Sequence, residues 1–281
     1  MKLLRWGPAG HERPGILDAT GTARDLTGLV PDIAGAVLSD TGLAMLRGLD
    51  PARLPAVPAG ARLGPCVGGV GKVVCIGLNY ADHAAEAGMP IPPEPIVFLK
   101  ANSALCGPDD TVLLPRGSKK GDWEVELAVI IGTTAKYVGQ AEALNHVAGY
   151  AIMNDVSERA FQLERAGQWT KGKSSDTFGP LGPWLVTRDE VPDPQALPME
   201  LRVNGAAMQH GSTATMVYGV AHLVSYLSQV MTLHPGDVIA TGTPPGVGMG
   251  MKPQRFLAPG DVMELTIAGL GHQRQPVAAD Q

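Results

Sequence analysis

Residues 122–132, DWEVELAVIIG, constrain this chain more than any other stretch. Val125, Leu127, Ala128, Val129, Ile130 and Ile131 require an apolar setting, so the segment reads as a buried strand. Glu124 and Glu126 do not belong in such a setting. Side chains two apart on a strand point to the same face, so both carboxylates aim at one spot, with Asp122 directed the same way. Two carboxylates held together away from water need protonation, a basic partner or a cation. A third acid, Asp155, ends the apolar run YAIMNDV, where a strand passes into a loop. Glu-x-Glu with a downstream Asp is a candidate three-oxygen site for a hard divalent ion. The competing reading of the same spacing is a set of acids on the solvated face of a half-buried strand.

Composition narrows the surroundings. Across 281 residues, 44% are hydrophobic and 17% charged, which suits a packed globular chain and excludes disorder. The 36 glycines and 24 prolines favour a turn-rich, β-rich fold over a helix bundle. A formal net charge of -5 gives no basic surface for nucleic acid or for an acidic membrane. Three cysteines (Cys66, Cys75 and Cys106) with no CxxC spacing indicate neither a disulfide framework nor a structural zinc. The start MKLLRWGPAGHERPG has no apolar core of a signal peptide, and no run reaches membrane-span length. A cytoplasmic location is expected.

Short strands, one helix and Pro-rich connectors up to about residue 70 suggest a small N-terminal domain (1–70) ahead of a larger unit (71–281). Strands are expected at KVVCIG, PIVFLKA, WEVELAVIIG, YAIMNDV, GPWLVT, MELRV and in the two GDV segments near the end. Helices are expected at ADHAAEAG (stopped by Gly88), AEALNHVAGY, SERAFQLERAGQ (capped by Ser157) and TMVYGVAHLVSYLSQVMTL. No regular βαβ alternation appears, so the fold class is α+β, β-rich.

GQWTKGKS, residues 167–174, fits the phosphate-loop pattern letter by letter. That loop needs a strand before it and a helix after it. Here a helical stretch precedes, and Pro180 and Pro183 rule out a helix of useful length after it, so nucleotide binding is not expected. On its own residues Lys173 reads as a solvated lysine in a Gly-rich loop. His83 and Glu86, three apart on the ADHAAE helix, share a face. His222, His234 and His272 have no motif around them and read as structural.

Taken together, GLNYADHAAE, PIVFLK, DWEVELAVIIG, NDVSERAFQ, GKSSDTFGPLGP, HPGDVIATGTPPGVG and GDVMEL resemble, in order, the motifs of the fumarylacetoacetate hydrolase superfamily. The opening MKLLRWGPAG and the segment TMVYGVAHLVSYLSQVMTL resemble its branch of bacterial 2,4-diketo-3-deoxy-L-rhamnonate and L-fuconate hydrolases. The resemblance implies a mixed β-sheet core and Mg²⁺ or Mn²⁺ at Glu124, Glu126 and Asp155. It also implies that His83 and Glu86 activate water, that Lys173 offsets developing negative charge, and that Tyr80, Arg159, Gln162 and Thr243 contact substrate. A small-molecule diketo acid would be the partner, and a homodimer the assembly. The same platform implies two further reactions, oxaloacetate decarboxylation and dienedioate isomerisation. A metal-binding protein without catalysis is the alternative of another class.

Overall fold

The computed structural model describes residues 1–86, 88 and 90–280. Its centre is a ten-stranded mixed sheet. From one edge to the other run Ala23–Asp25, Arg13–Leu17, Lys2–Trp6, Gly179–Thr187, Val147–Asn154, Val125–Ile131, Val238–Ala240, Val73–Gly77 and Ile96–Lys100, with Leu105–Cys106 attached to Gly179–Thr187. A second, five-stranded sheet packs on it, in the order Ala206–Ser212, Pro198–Val203, Val262–Ile267, Gly271–Ala279 and Val112–Leu114. The α+β, β-rich architecture expected from the sequence is what forms.

Val125–Ile131 lies in the middle of the large sheet, and all seven of its residues are buried. Its odd-numbered side chains join Leu201, Leu265, Leu223 and Leu227 in a core shared with the second sheet and the Val220–Val230 helix. Ala128 and Ile130, on the other face, join a second core with Leu3, Ile33, Leu38, Leu43 and Leu46. A strand covered on both faces must be apolar without alternation, which explains the continuous run. The strands from residues 1–70 extend this same sheet, with Lys2 opposite Val186 and Leu3 opposite Leu185. Their one α-helix, Asp40–Arg47, is capped by Ser39 and buries Leu43 and Leu46.

Three expected helices come out differently. In AEALNHVAGY only Ala143–His146 forms a single 3₁₀ turn, and Val147 starts a strand. Strand packing wins there: a Cβ on Gly149 would lie 2.2 Å from the Val186 carbonyl oxygen, a closeness only glycine allows. In SERAFQLERAGQ, Ser157–Glu158 pairs with Gly121–Asp122, and the helix is shortened to Arg159–Leu163. Its cap is Glu158, which accepts the Ala160 N–H, and not Ser157. The long pattern from residue 215 is helical only over Val220–Val230.

Candidate metal and substrate site

Strand register assembles the carboxylates. Met153 lies opposite Glu126 and Asn154 opposite Val125, so the next pair in the antiparallel ladder is Asp155 with Glu124. The Asp155 N–H donates to the Glu124 carbonyl at 2.9 Å, which extends the ladder by that one step. Residues directly opposite one another point to the same face, as do Glu124 and Glu126. One oxygen from each of Glu124, Glu126 and Asp155 lies within 4.8 Å of the others, and all three residues are buried. The solvated-face reading of these acids is therefore wrong.

Three cations surround them. Lys173 Nζ lies 2.7 Å from Glu124 Oε2 and 2.8 Å from Asp155 Oδ2. Lys100 Nζ lies 2.7 Å from Asp155 Oδ1 and donates to the carbonyls of Val156 and Lys173. Arg159 Nη2 lies 2.7 Å from Glu124 Oε1, while its Nε donates to Asp122 Oδ2 at 2.8 Å. Burial pushes the Glu124 carboxyl up, but Lys173 and Arg159 outweigh it and bring it down to about 2. Burial lowers the Lys173 ammonium, yet the charges of Asp155 and Glu124 raise it above the usual lysine range. Glu126 differs. It has no ion pair among the described residues, and its partner is the Gly242 N–H at 2.8 Å. Burial, then the charges of Asp155 and Glu124, hold its carboxyl well above the ordinary range. A buried carboxylate without a cation, beside two more carboxylate oxygens, is a donor set suited to a hard divalent ion such as Mg²⁺ or Mn²⁺.

These groups open onto a cavity of about 110 Å³ lined by Glu124, Glu126, His83, Arg159, Gln162, Lys173 and Thr243. Phe98 and Trp169 form an apolar wall, with ring centres 5.3 Å apart. Gly77 makes that wall fit, since a Cβ there would sit 2.4 Å from the Trp169 ring. His83 Nδ1 lies 3.1 Å from Glu86 Oε2, and the Glu86 carboxylate also accepts the Gly246 N–H. A carboxylate at Nδ1 fixes that nitrogen as the donor and leaves Nε2 free to take a proton.

Nine of the ten sequence-designated residues gather here: seven line the cavity, Asp155 is paired with the cavity residue Lys173, and Glu86 is paired with His83. Tyr80 does not. It is fully buried between the sheets, and its hydroxyl contacts Met199 Sδ at 3.3 Å. Its backbone is bridged to Met216, and its ring belongs to the apolar core. Thr243 lines the cavity, but its hydroxyl donates to the Val125 carbonyl and accepts from Gln209 Nε2. Lys173 is no loop lysine: it ends the short helix Thr170–Lys173 and is 2% exposed. Its ammonium is engaged by carboxylates, which closes the phosphate-loop reading of GQWTKGKS. His222 stacks between Tyr218 and Tyr226, away from the cavity.

Sequence reasoning missed Lys100, whose signal was a lysine closing the apolar strand PIVFLK. It also missed the true place of Asp122. That carboxylate is fully buried but lies outside the triad, and Arg159 bridges it to Glu124. It accepts N–H groups from Trp123, Gly248 and Met249, and the Arg159 Nε–H. Asp122 therefore ties Arg159 to the turn that carries Met249.

The sequence model described as fumarylacetoacetate (FAA) hydrolase, C-terminal, matches residues 72–278. A protein of Burkholderia ambifaria with a provisional hydrolase name is 64% identical over 276 residues, 98% of each chain. The structure of fumarylacetoacetate hydrolase from psychrophilic Exiguobacterium antarcticum is 39% identical, with a TM-score of 0.83 and 100% of both chains covered. That of maleylpyruvate hydrolase from Sphingobium sp. SYK-6, in complex with manganese(II) ion and pyruvate, is 31% identical, with a TM-score of 0.81 and the same full coverage. Sequence match, fold and the buried carboxylate site agree: this chain belongs to the fumarylacetoacetate hydrolase family.

Proposed function

We propose that the protein is a divalent-metal-dependent hydrolase that cleaves the C3–C4 bond of a 2,4-diketo-3-deoxy-L-sugar acid, of the rhamnonate or fuconate type, to pyruvate and L-lactate. One observation carries the reading: His83, paired with Glu86, lines the same cavity as Glu124 and Glu126. Decarboxylation of a keto acid needs no activated water, whereas C–C hydrolysis does. The manganese and pyruvate named for the Sphingobium relative support both the ion and the product half.

Glu124, Glu126 and Asp155 would hold the ion, which when bound supplies Lewis acidity at the substrate's keto oxygen. The rest falls to side chains of this chain. Arg159, Gln162 and Lys173 face the cavity and orient the substrate carboxylate and carbonyl oxygens. His83 Nε2 takes a proton from water as the water oxygen adds to C4. Glu86 holds the ring and balances the imidazolium charge. The C3–C4 bond then breaks, its electrons pass into the pyruvate enolate, and C3 gains the proton that His83 took from water. Lys173 lines the cavity, so its ammonium can offset negative charge as it develops there.

The test is pyruvate release from L-configured 5-hydroxy-2,4-dioxohexanoate, the one compound that the L-rhamnonate and L-fuconate names both describe, and from oxaloacetate, before and after EDTA and with Mg²⁺ restored. Metal-dependent pyruvate and lactate from a diketo acid is the expected result. Turnover of oxaloacetate alone would move the protein to the decarboxylases and leave the metal site standing.

A further inference from the structure

Beside the inner cavity runs an open groove of about 540 Å³, bounded by Glu86 on one side and by Val247, Met249, Met251, Lys252 and Gln254 on the other. The two spaces share His83 and Met249 as lining. We propose that this groove is the subsite for the acyl arm that leaves, and that Lys252 and Gln254 select an arm bearing a hydroxyl group. The inference rests on the hydrolase reading above.

The argument begins with reach. A general base acts within hydrogen-bond distance of the water it activates, so the attacked carbonyl lies beside His83. His83 stands where the cavity meets the groove. The carboxylate and keto end of the substrate belongs with the cations inside, and what lies beyond the attacked carbon must project past His83 and Met249.

The groove is held in shape before any ligand arrives. Glu86 accepts the Gly246 N–H at 3.0 Å, and Asp122 accepts those of Gly248 and Met249 at 2.7 and 3.0 Å. The turn presses so closely on Glu86 that a Cβ on Gly250 would lie 2.7 Å from the Glu86 carboxyl carbon.

Its chemistry is a mainly apolar wall with one donor and one acceptor. Gln254 Nε2 donates to the Met249 carbonyl at 2.9 Å, which fixes the amide and leaves Oε1 as an acceptor. Lys252 has no ion pair among the described residues, and its ammonium can only donate. A hydroxyl can donate to the first and accept from the second. A carboxylate can only accept: it pairs with Lys252 but meets the Gln254 oxygen as a repulsive neighbour, so it satisfies one partner of the two. An unsubstituted methyl arm pairs with neither.

The test compares kcat/KM for three acylpyruvates in the Mg²⁺-loaded protein: 5-hydroxy-2,4-dioxohexanoate, acetylpyruvate and succinylpyruvate, which ends in a carboxylate. The hydroxylated acid is expected to exceed acetylpyruvate by about tenfold or more. Gln254→Leu and Lys252→Met, both at exposed positions, should each bring that ratio close to one while Mn²⁺ binding persists. An unchanged ratio in both variants, with pyruvate still released, would overturn the subsite and leave the hydrolase standing. So would a wild-type preference for succinylpyruvate. Absence of pyruvate from all three acids would remove the hydrolase reading, and this inference with it.

Discussion

Asp155 is held by two lysines with different duties. Lys100 touches Oδ1 from a position with no exposure and no place in the cavity wall, whereas Lys173 touches Oδ2 and lines the cavity. Lys100→Met leaves a buried carboxylate oxygen without its cation, a loss of about 3–5 kcal/mol that a lower denaturant midpoint would register. Glu86→Gln acts on the chemistry instead. Mn²⁺ titration should be unchanged, because no ligand is touched, while kcat falls by about 10²–10⁴-fold. Near-wild-type turnover in that variant would remove His83–Glu86 as the water-activating pair. Asp122→Asn keeps one acceptor oxygen but sets an NH₂ against the Arg159 and Met249 donors. We expect retained Mn²⁺ binding and a raised KM, read from steady-state kinetics and a metal titration on the same preparation.

Helix packing decides where Lys173 and Gln162 end up. The Arg159–Leu163 and Thr170–Lys173 helices meet at Gly172, where a Cβ would lie 2.5 Å from the Gln162 backbone nitrogen, the Gln162 Cβ and the Glu158 carbonyl oxygen. Gly172→Ala must push the two helices apart, costing about 1–3 kcal/mol and shifting two cavity residues. Lower thermal stability together with a raised KM is the expected pair of effects, and a variant with wild-type values would show the contact to be slack. This packing marks the limit of what could be read from the chain. The carboxylates were legible because period two is local: Glu124 and Glu126 share a face in any strand, and Asp155 ends its own apolar run. Lys100 was not, and Lys173 was named only through the family resemblance, since Lys100, Lys173 and Asp155 meet only through strand pairing and the Gly172 contact. Residues 147–150 misled for a related reason. Their helical spacing is overridden by a sheet that buries Val147 and Tyr150 and admits only glycine at position 149. Tyr80 sits in the same motif as His83, yet proximity along the chain does not say which way a ring turns.

Across the whole molecule, two cores share one sheet, and the carboxylates sit on its central strands. An ion bound at this triad should therefore stabilise the fold. Mn²⁺ at 100 times its Kd should add about 2.7 kcal/mol to stability, seen as a rise in Tm that EDTA reverses. Acid should act at the far edge of the sheet. The Thr20 hydroxyl, and then Arg24, hold the Asp18 carboxyl well below its ordinary value against burial. Burial pushes Glu12 up, but the Arg62 hydrogen bond and the Arg5 charge outweigh it and keep it low. A depressed carboxyl stabilises the fold above its unfolded value of about 4 and loses that contribution as pH falls through the lower folded value. Asp18→Asn should thus lower Tm at pH 7 and flatten the decline below pH 4, which a pH series of melts in the two proteins would read. The contrast between floor and rim reaches beyond this one protein. The triad stands on strands covered on both sides, where a shift of one residue turns every side chain over. Residues 252–254, by contrast, are exposed and reach the interior only through their neighbours in the turn. Mutation can thus sample new rims while the floor stays fixed, so lineages sharing these carboxylates can diverge in the acids they consume without reinventing how the bond is broken.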